Sequence, residues 1–446
     1  MHNILKTVAV LAALALAISM ACSDRGANQA PDIVDLPVAP ARFDHSFSNE
    51  FFLQIANTGE MALVDAYIPN RVFQQDQLPV VVLLPPQDGS EDYYYRHGLS
   101  KIADELIANG EIVPMAIVTI NNHETFGGFF WAGNGGASGD YDALFGRPLL
   151  DWLSSHSGDL FKDDGRYRGI GGIGQGAYGA FRAAMLHRNE YSSIAVADGP
   201  LDFDGADGVS GFEDLFADVL SEQGLLDYVQ VGDTSWTDKF DSSASAYPLG
   251  RMFIGGALAF SPNDTLVFPY GERGYMLIPI PVIDTFYDTT FIIGYPNVID
   301  TLYDTLRYQI DDEATLCTEI INIAENDFEF HLPFDVHGEP YDLIWDLWLK
   351  NNLETILSDS GDGCLADVDI WIGTTEDPSE QDMTFGYQTH SWINTLQSHG
   401  LLDATNVYEY SGYSTNPATK DQYVYDLLRE MLIFHSRNFE AAQAAE

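Results

Sequence analysis

Gly172-Ile173-Gly174-Gln175-Gly176 has the glycine spacing of a G-x-S-x-G nucleophile elbow, with glycine where the serine would stand. Such a turn serves acyl transfer. Serine attacks an ester carbonyl, histidine carries the proton, a carboxylate fixes the histidine tautomer, and backbone N–H groups hold the oxyanion. The approach, Arg168 to Ile173, is rich in small residues, and Ala177 to His187 reads as the helix that follows. At Gly174 there is no side chain to present. An elbow residue holds a positive φ that costs a non-glycine residue about 1–3 kcal/mol, so glycine suits the turn once the hydroxyl is dispensable.

Three other patterns compete for attention. Gly169-Ile170-Gly171-Gly172-Ile173-Gly174 matches G-x-G-x-x-G, and Asp198 ends the next apolar strand at a workable distance for a ribose contact. A dinucleotide loop needs an apolar strand immediately before it, whereas Lys162 to Arg168 is polar, so no nucleotide cofactor is expected. Asp202-Phe203-Asp204-Gly205-Ala206-Asp207-Gly208 looks like a calcium loop, but counting from Asp202 places Ala206 fifth and Asp207 sixth. An EF-hand needs an oxygen donor and then glycine there, so no metal site is assigned. The loop carrying Phe129, Phe130 and Trp131 follows a core strand and, with Gln175, supplies ligand-cleft candidates: an aromatic platform, or packing against a neighbouring insertion.

The elements that must position these residues alternate. Phe51 to Asn70 reads as edge antiparallel strands, Pro79 to Pro85 and Met115 to Ile120 as buried strands, and Leu99 to Asn109 as an amphipathic helix. Arg147 to Leu160 reads as a helix and Ser193 to Ala197 as a strand. From about Asp202 to Asn326 the chain is acidic and loop-rich. Ile283 to Thr289 and Ile299 to Thr305 echo each other in strand-favouring residues, which predicts a β-rich insertion. The alternation resumes with a helix from Ile344 to Leu357, a strand from Val368 to Ile372, a helix from Thr389 to Gly400, a strand from Asn406 to Tyr410 and a last helix from Gln422 to Phe439. Strands alternating with helices predict an α/β fold with a doubly wound, mostly parallel sheet.

With these residues laid out, the chain resembles the putative-esterase (esterase D-like) family of α/β-hydrolases. The likeness is carried by Leu78 to Leu84, Gly110 to Ile120, Gly172 to Ala180, Leu332 to Asp335 with Trp345 and Trp348, and Ile370 to Thr375. The resemblance implies an α/β-hydrolase core in two parts, 51–203 and 328–446, with the insertion at 204–327. It places the catalytic acid at Glu376 or Asp377. The nucleophile position falls at Gly174, and the histidine position falls in Ser411-Gly412-Tyr413-Ser414, at Ser414. Where the family has His-Gly in the oxyanion loop the chain has Pro85-Pro86, and proline has no N–H to donate. His390, His399 and His435 are the nearest other histidines in sequence, each expected to be a surface or packed residue.

The formal net charge is −47 over 446 residues. Such a surface repels phosphate backbones and anionic headgroups, which excludes nucleic acid as a partner. Lys6, the apolar run Val8 to Ile18 and Ser19-Met20-Ala21-Cys22 read as a signal peptide over 1–22 with a lipoprotein-like end, Cys22 being the lipidated residue. Residues 23–50 then form a tether. Cys317 and Cys364 remain, as a disulfide or as two buried thiols; a cross-link of that reach stabilises by roughly 3–4 kcal/mol. The expected protein is exported, on the outer membrane or cell surface through its N-terminal lipid, or else secreted or periplasmic. It is expected to be an inactive esterase relative that binds a small ligand or an envelope protein. The alternatives are an active carboxylic-ester hydrolase with a non-standard nucleophile and a structural envelope protein.

Overall fold

The computed structural model describes residues 47–54, 61–69, 77–121, 130–132, 141–146, 149–151, 161–205, 211–216, 248–261, 279–280, 316–317, 332–334, 340–375, 385–411 and 417–446. An eight-stranded sheet forms its centre: β1 (Phe47–Gln54), β2 (Met61–Ile68), β3 (Val80–Leu84), β4 (Ala116–Ile120), β5 (Arg168–Ile173), β6 (Ser193–Ala197) and two later strands. A separate antiparallel pair, β7 (Pro279–Ile280) and β8 (Leu316–Cys317), lies in the expected insertion. The last two strands of the main sheet are β9 (Asp369–Thr375) and β10 (Val407–Tyr410), and the spatial order is β1-β2-β4-β3-β5-β6-β9-β10. Only β2 runs against the others in that sheet. The carboxyl ends of β3, β5, β6, β9 and β10 therefore share one edge, where ligands bind in open α/β sheets. This is an α/β-hydrolase-type fold.

The central strands are buried along their whole length because helices cover both faces. The helices are α1 (Tyr93–Arg96), α2 (Leu99–Asn109), α3 (Tyr141–Leu144), α4 (Gln175–Leu186), α5 (Pro248–Phe260), α6 (Asp342–Leu349), α7 (Leu353–Ser360), α8 (Gly386–Ser398) and α9 (Pro417–Ala444). On α2 the stripe Leu99, Ile102, Ala103 and Leu106 is buried at helical spacing, and Gly110 (φ 72) ends the helix with its N–H on the Ile107 carbonyl. That stripe joins α9 on one face of the sheet. The opposite face carries α3 to α8. No described helix is long and apolar enough to cross a membrane.

Two elements depart from the expected pattern. The stretch 204–327, expected to be β-rich, contains α5, whose Met252, Phe253, Ile254, Ala257, Leu258, Ala259 and Phe260 are all buried. A helix apolar on nearly every side needs protein all around it. The two echo segments, 283–289 and 299–305, lie outside the described residues. The single helix expected from Ile344 to Leu357 is split into α6 and α7. Asn352 breaks it with an extended backbone (ψ 135), its Oδ1 accepting from the Phe203 N–H and its Nδ2 donating to Asp202.

Candidate functional site: an elbow without a nucleophile

β5 delivers the chain to Gly174, whose φ of 62 and ψ of −125 interrupt the run before α4 begins at Gln175. The Gly174 N–H is donated to the carbonyls of Ala197 and Asp198, and its own carbonyl accepts from the Ala177 N–H. The turn is closed by contact as well. A Cβ on Gly172 would lie 2.5 Å from the Leu84 carbonyl oxygen, and one on Gly176 would lie 1.9 Å from it. Beneath, the buried Tyr94 hydroxyl donates to the Leu84 carbonyl at 2.6 Å and accepts from the Ile173 N–H at 3.1 Å. The elbow frame is thus intact.

What the frame presents is a glycine facing a proline. A Cβ built on Gly174 would sit 3.1 Å from Cβ of Pro86, tighter than ordinary contact. The residues after β3 fold back as a turn, Gly89 donating its N–H to the Pro86 carbonyl and Asp88 taking a left-handed φ of 58. This turn is clamped from the insertion: Arg251 of α5, with 3% of its side chain exposed, pairs with Asp88 at 2.6 Å. The Trp131 indole N–H donates to the Pro85 carbonyl at 3.2 Å.

The expected cleft aromatics lie in the core. Phe130 and Trp131 are buried, both with left-handed φ values near 55. Phe130 meets Tyr178, Phe203, Phe212 and Phe260, while Trp131 meets Tyr141 and Phe145. A Cβ on Gly179 would lie 2.5 Å from Trp131, so α4 leaves room for the indole. Phe130 packs against the insertion helix through Phe260, and Trp131 against Tyr141, Phe145 and α4; neither buried ring forms a platform open to a ligand. Gln175 is buried at the first position of α4. Phe129, Glu376, Asp377, Ser414 and Cys22 lie outside the described residues, as does the side chain of Cys317. Cys364 is buried with a free thiol.

Each described histidine named above is engaged elsewhere. The His390 ring bonds the Gly386 carbonyl at 2.7 Å, and the His399 ring pairs with Asp362 at 2.7 Å. His435 does meet a serine, Ser193 Oγ at 2.8 Å, but Ser193 opens β6 opposite Gly169 and so lies at the far edge of the sheet from Gly174. Burial depresses its imidazole to about 3. Asp202 is buried and held by protein donors: the Ser391 hydroxyl at 2.6 Å, the Asn352 amide and the Asp204 N–H. No cluster of three or more His, Cys, Asp or Glu suited to a metal occurs among the described residues.

In the sequence Asp198 stands out only as a ribose contact for a dinucleotide loop. It directly follows β6 beside the elbow with a left-handed φ of 36, and its buried carboxylate accepts from the Tyr423 hydroxyl of α9. Burial raises it to about 7, against smaller opposing contributions from Tyr423, Thr374 and the Thr375 N–H. A carboxylate ending an apolar strand was the available signal; its partner was not visible.

An α/β-hydrolase sheet with its nucleophile elbow in place defines the class. Residues 56–244 match the putative esterase family model. Among solved structures, a ferulic acid esterase aligns with 89% of this chain and 99% of its own at 12% identity and a TM-score of 0.49. An S-formylglutathione hydrolase from Agrobacterium tumefaciens aligns with 89% and 97% at 10% identity and a TM-score of 0.46. Another from Staphylococcus aureus aligns with 87% and 99% at 12% identity and a TM-score of 0.41. No curated protein matches the chain.

Proposed function

We propose that this protein is a non-catalytic member of the esterase family that binds a small ligand or an envelope protein instead of cleaving an ester. The observation that carries the reading is Gly174: the elbow keeps its backbone geometry, offers no hydroxyl, and faces Pro86 where a side chain would project. Loss of the serine alone removes about a million-fold of turnover from a triad hydrolase. The prolines after β3 weaken the oxyanion loop as well, since they contribute no N–H. The test is hydrolysis of short p-nitrophenyl esters by purified protein, with labelling by a fluorophosphonate. Neither turnover nor labelling is expected. Turnover abolished by the phosphonate would establish the alternative, an ester hydrolase with a nucleophile outside the elbow, and a Glu376→Ala change would then lower it.

The same reading places the protein in the envelope, exported by its N-terminal segment and held by lipid on Cys22. The sequence Lys6, Val8 to Ile18 and Ser19-Met20-Ala21-Cys22 supports it. Expression with labelled fatty acid should mark the wild type and leave Cys22→Ser unmarked. Equal labelling of both would remove the lipid anchor from the proposal.

A further inference from the structure

α4 and α8 follow parallel strands and contribute to the same core face of the sheet. They meet through the rings of Phe181 and Trp392, whose centroids lie 5.5 Å apart in edge contact. Each of those residues is the seventh of its helix. The two helices rise equally per residue, so Gln388, third in α8, stands level with the first turn of α4, just past Gly174. Thr389 fixes that height. Its hydroxyl accepts the Gly199 N–H at 3.0 Å and donates to the Gly199 carbonyl at 3.3 Å, and a Cβ on Gly199 would lie 2.6 Å from the Gly174 carbonyl oxygen.

Gln388 is 1% exposed, and neither its amide oxygen nor its amide nitrogen has a hydrogen-bond partner among the described residues. One turn further along the same face of α8, the buried Trp392 indole N–H is equally unpartnered. Their neighbours on the helix are satisfied, Thr389 by Gly199 and Ser391 by Asp202 at 2.6 Å. Buried polar groups are almost always paired, so an amide idle at both ends opposes folding unless something that binds there uses it. Because both ends are idle, the choice of amide orientation does not alter the point.

We propose that Gln388 is a ligand-reading residue: the contact between the first turns of α4 and α8 takes a neutral ligand by a carboxamide group, paired edge to edge with the Gln388 amide. The inference rests on the reading of the crevice as a binding site and names the class of ligand it takes. An amide edge sets one acceptor beside one donor, and a second amide complements both. An ester has no N–H and leaves the Gln388 oxygen idle. A carboxylate has none either, and it would enter beside the segment that bears Asp198 and Asp202, on which Thr389 and Ser391 anchor α8. Entry is from the carboxyl edge of the sheet, where Gly174 is half-exposed and Tyr387 is 43% exposed.

The experiment is ligand-observed saturation-transfer NMR on the full chain with propionamide, propionate and methyl acetate, three probes of equal size, together with urea unfolding of wild type and Gln388→Met. Wild type should bind propionamide at least about tenfold more tightly than either other probe, and Gln388→Met should lose that preference. Gln388→Met should also fold more favourably than wild type, its folding constant raised about fivefold or more, because an idle buried amide has been removed. Absence of propionamide binding by wild type, equal binding of all three probes, or a preference kept by Gln388→Met would overturn the assignment. So would a Gln388→Met protein that unfolds at lower urea or does not fold, since the amide would then be satisfied within the fold itself. Hydrolysis of methyl acetate shows as free methanol in the same samples, so failure of the non-catalytic reading is seen apart from failure of amide recognition.

Discussion

At Gly174 the backbone explains the residue without reference to catalysis. A side chain there meets a φ of 62 and the Pro86 ring at 3.1 Å, two costs that add. Gly174→Ser is expected to lower stability by about 1–3 kcal/mol in urea unfolding and to gain no fluorophosphonate labelling. Gly176→Ala should be worse, above about 3 kcal/mol, because its Cβ would fall 1.9 Å from a backbone oxygen that cannot swing away. A stabilised Gly174→Ser protein would show that Pro86 moves aside freely. The glycine positions were legible in the sequence because an elbow is a local motif, fixed by spacing over a few residues. Asp198 and Tyr423 were not, since 225 positions separate them and only the packing of α9 against the sheet brings them together.

Among elements, the same contrast between local and distant causes holds. β3, β4, β6 and α2 follow from apolar runs or a helical stripe inside their own bounds. α5 does not. It lies within an acidic stretch, and its burial comes from Phe130, Phe212 and Trp348 contributed by other segments. The break between α6 and α7 is likewise set by what Asn352 bonds across the fold. α5 in turn presses on the turn after β3 through Arg251 and Asp88, whose side chains are 3% and 30% exposed. The pair is therefore asymmetric. Arg251→Met leaves a carboxylate that water reaches, whereas Asp88→Asn deprives a buried guanidinium of this carboxylate. Asp88→Asn should cost the more of the two, approaching about 3–5 kcal/mol in thermal or urea unfolding. Equal losses would mean that the insertion helix yields and lets Arg251 hydrate.

Over the whole molecule, the net charge of −47 makes self-repulsion a general tax on the folded state. Screening shortens from about 10 Å at 0.1 M salt to about 3 Å at 1 M, so Tm should climb with sodium chloride across that range. An unchanged Tm would remove repulsion from the account. Superimposed on this background are two buried groups that titrate in opposite senses. His435, fully buried and depressed to about 3, must take up a proton on unfolding below its ordinary 6.5, so its contribution is present above that value and fades as pH falls. Asp198, raised to about 7, must release a proton on unfolding above 3.8, so its contribution is present at low pH and fades as pH rises towards 7. Each slope approaches about 1.4 kcal/mol per pH unit between pH 4 and 6.5, and they have opposite signs. Wild type should therefore look deceptively flat there once the charge background is subtracted. Unfolding free energies of Asp198→Asn minus wild type should rise with pH, and those of His435→Gln minus wild type should fall. If both difference profiles are level, neither group is as buried in solution as the structure has it.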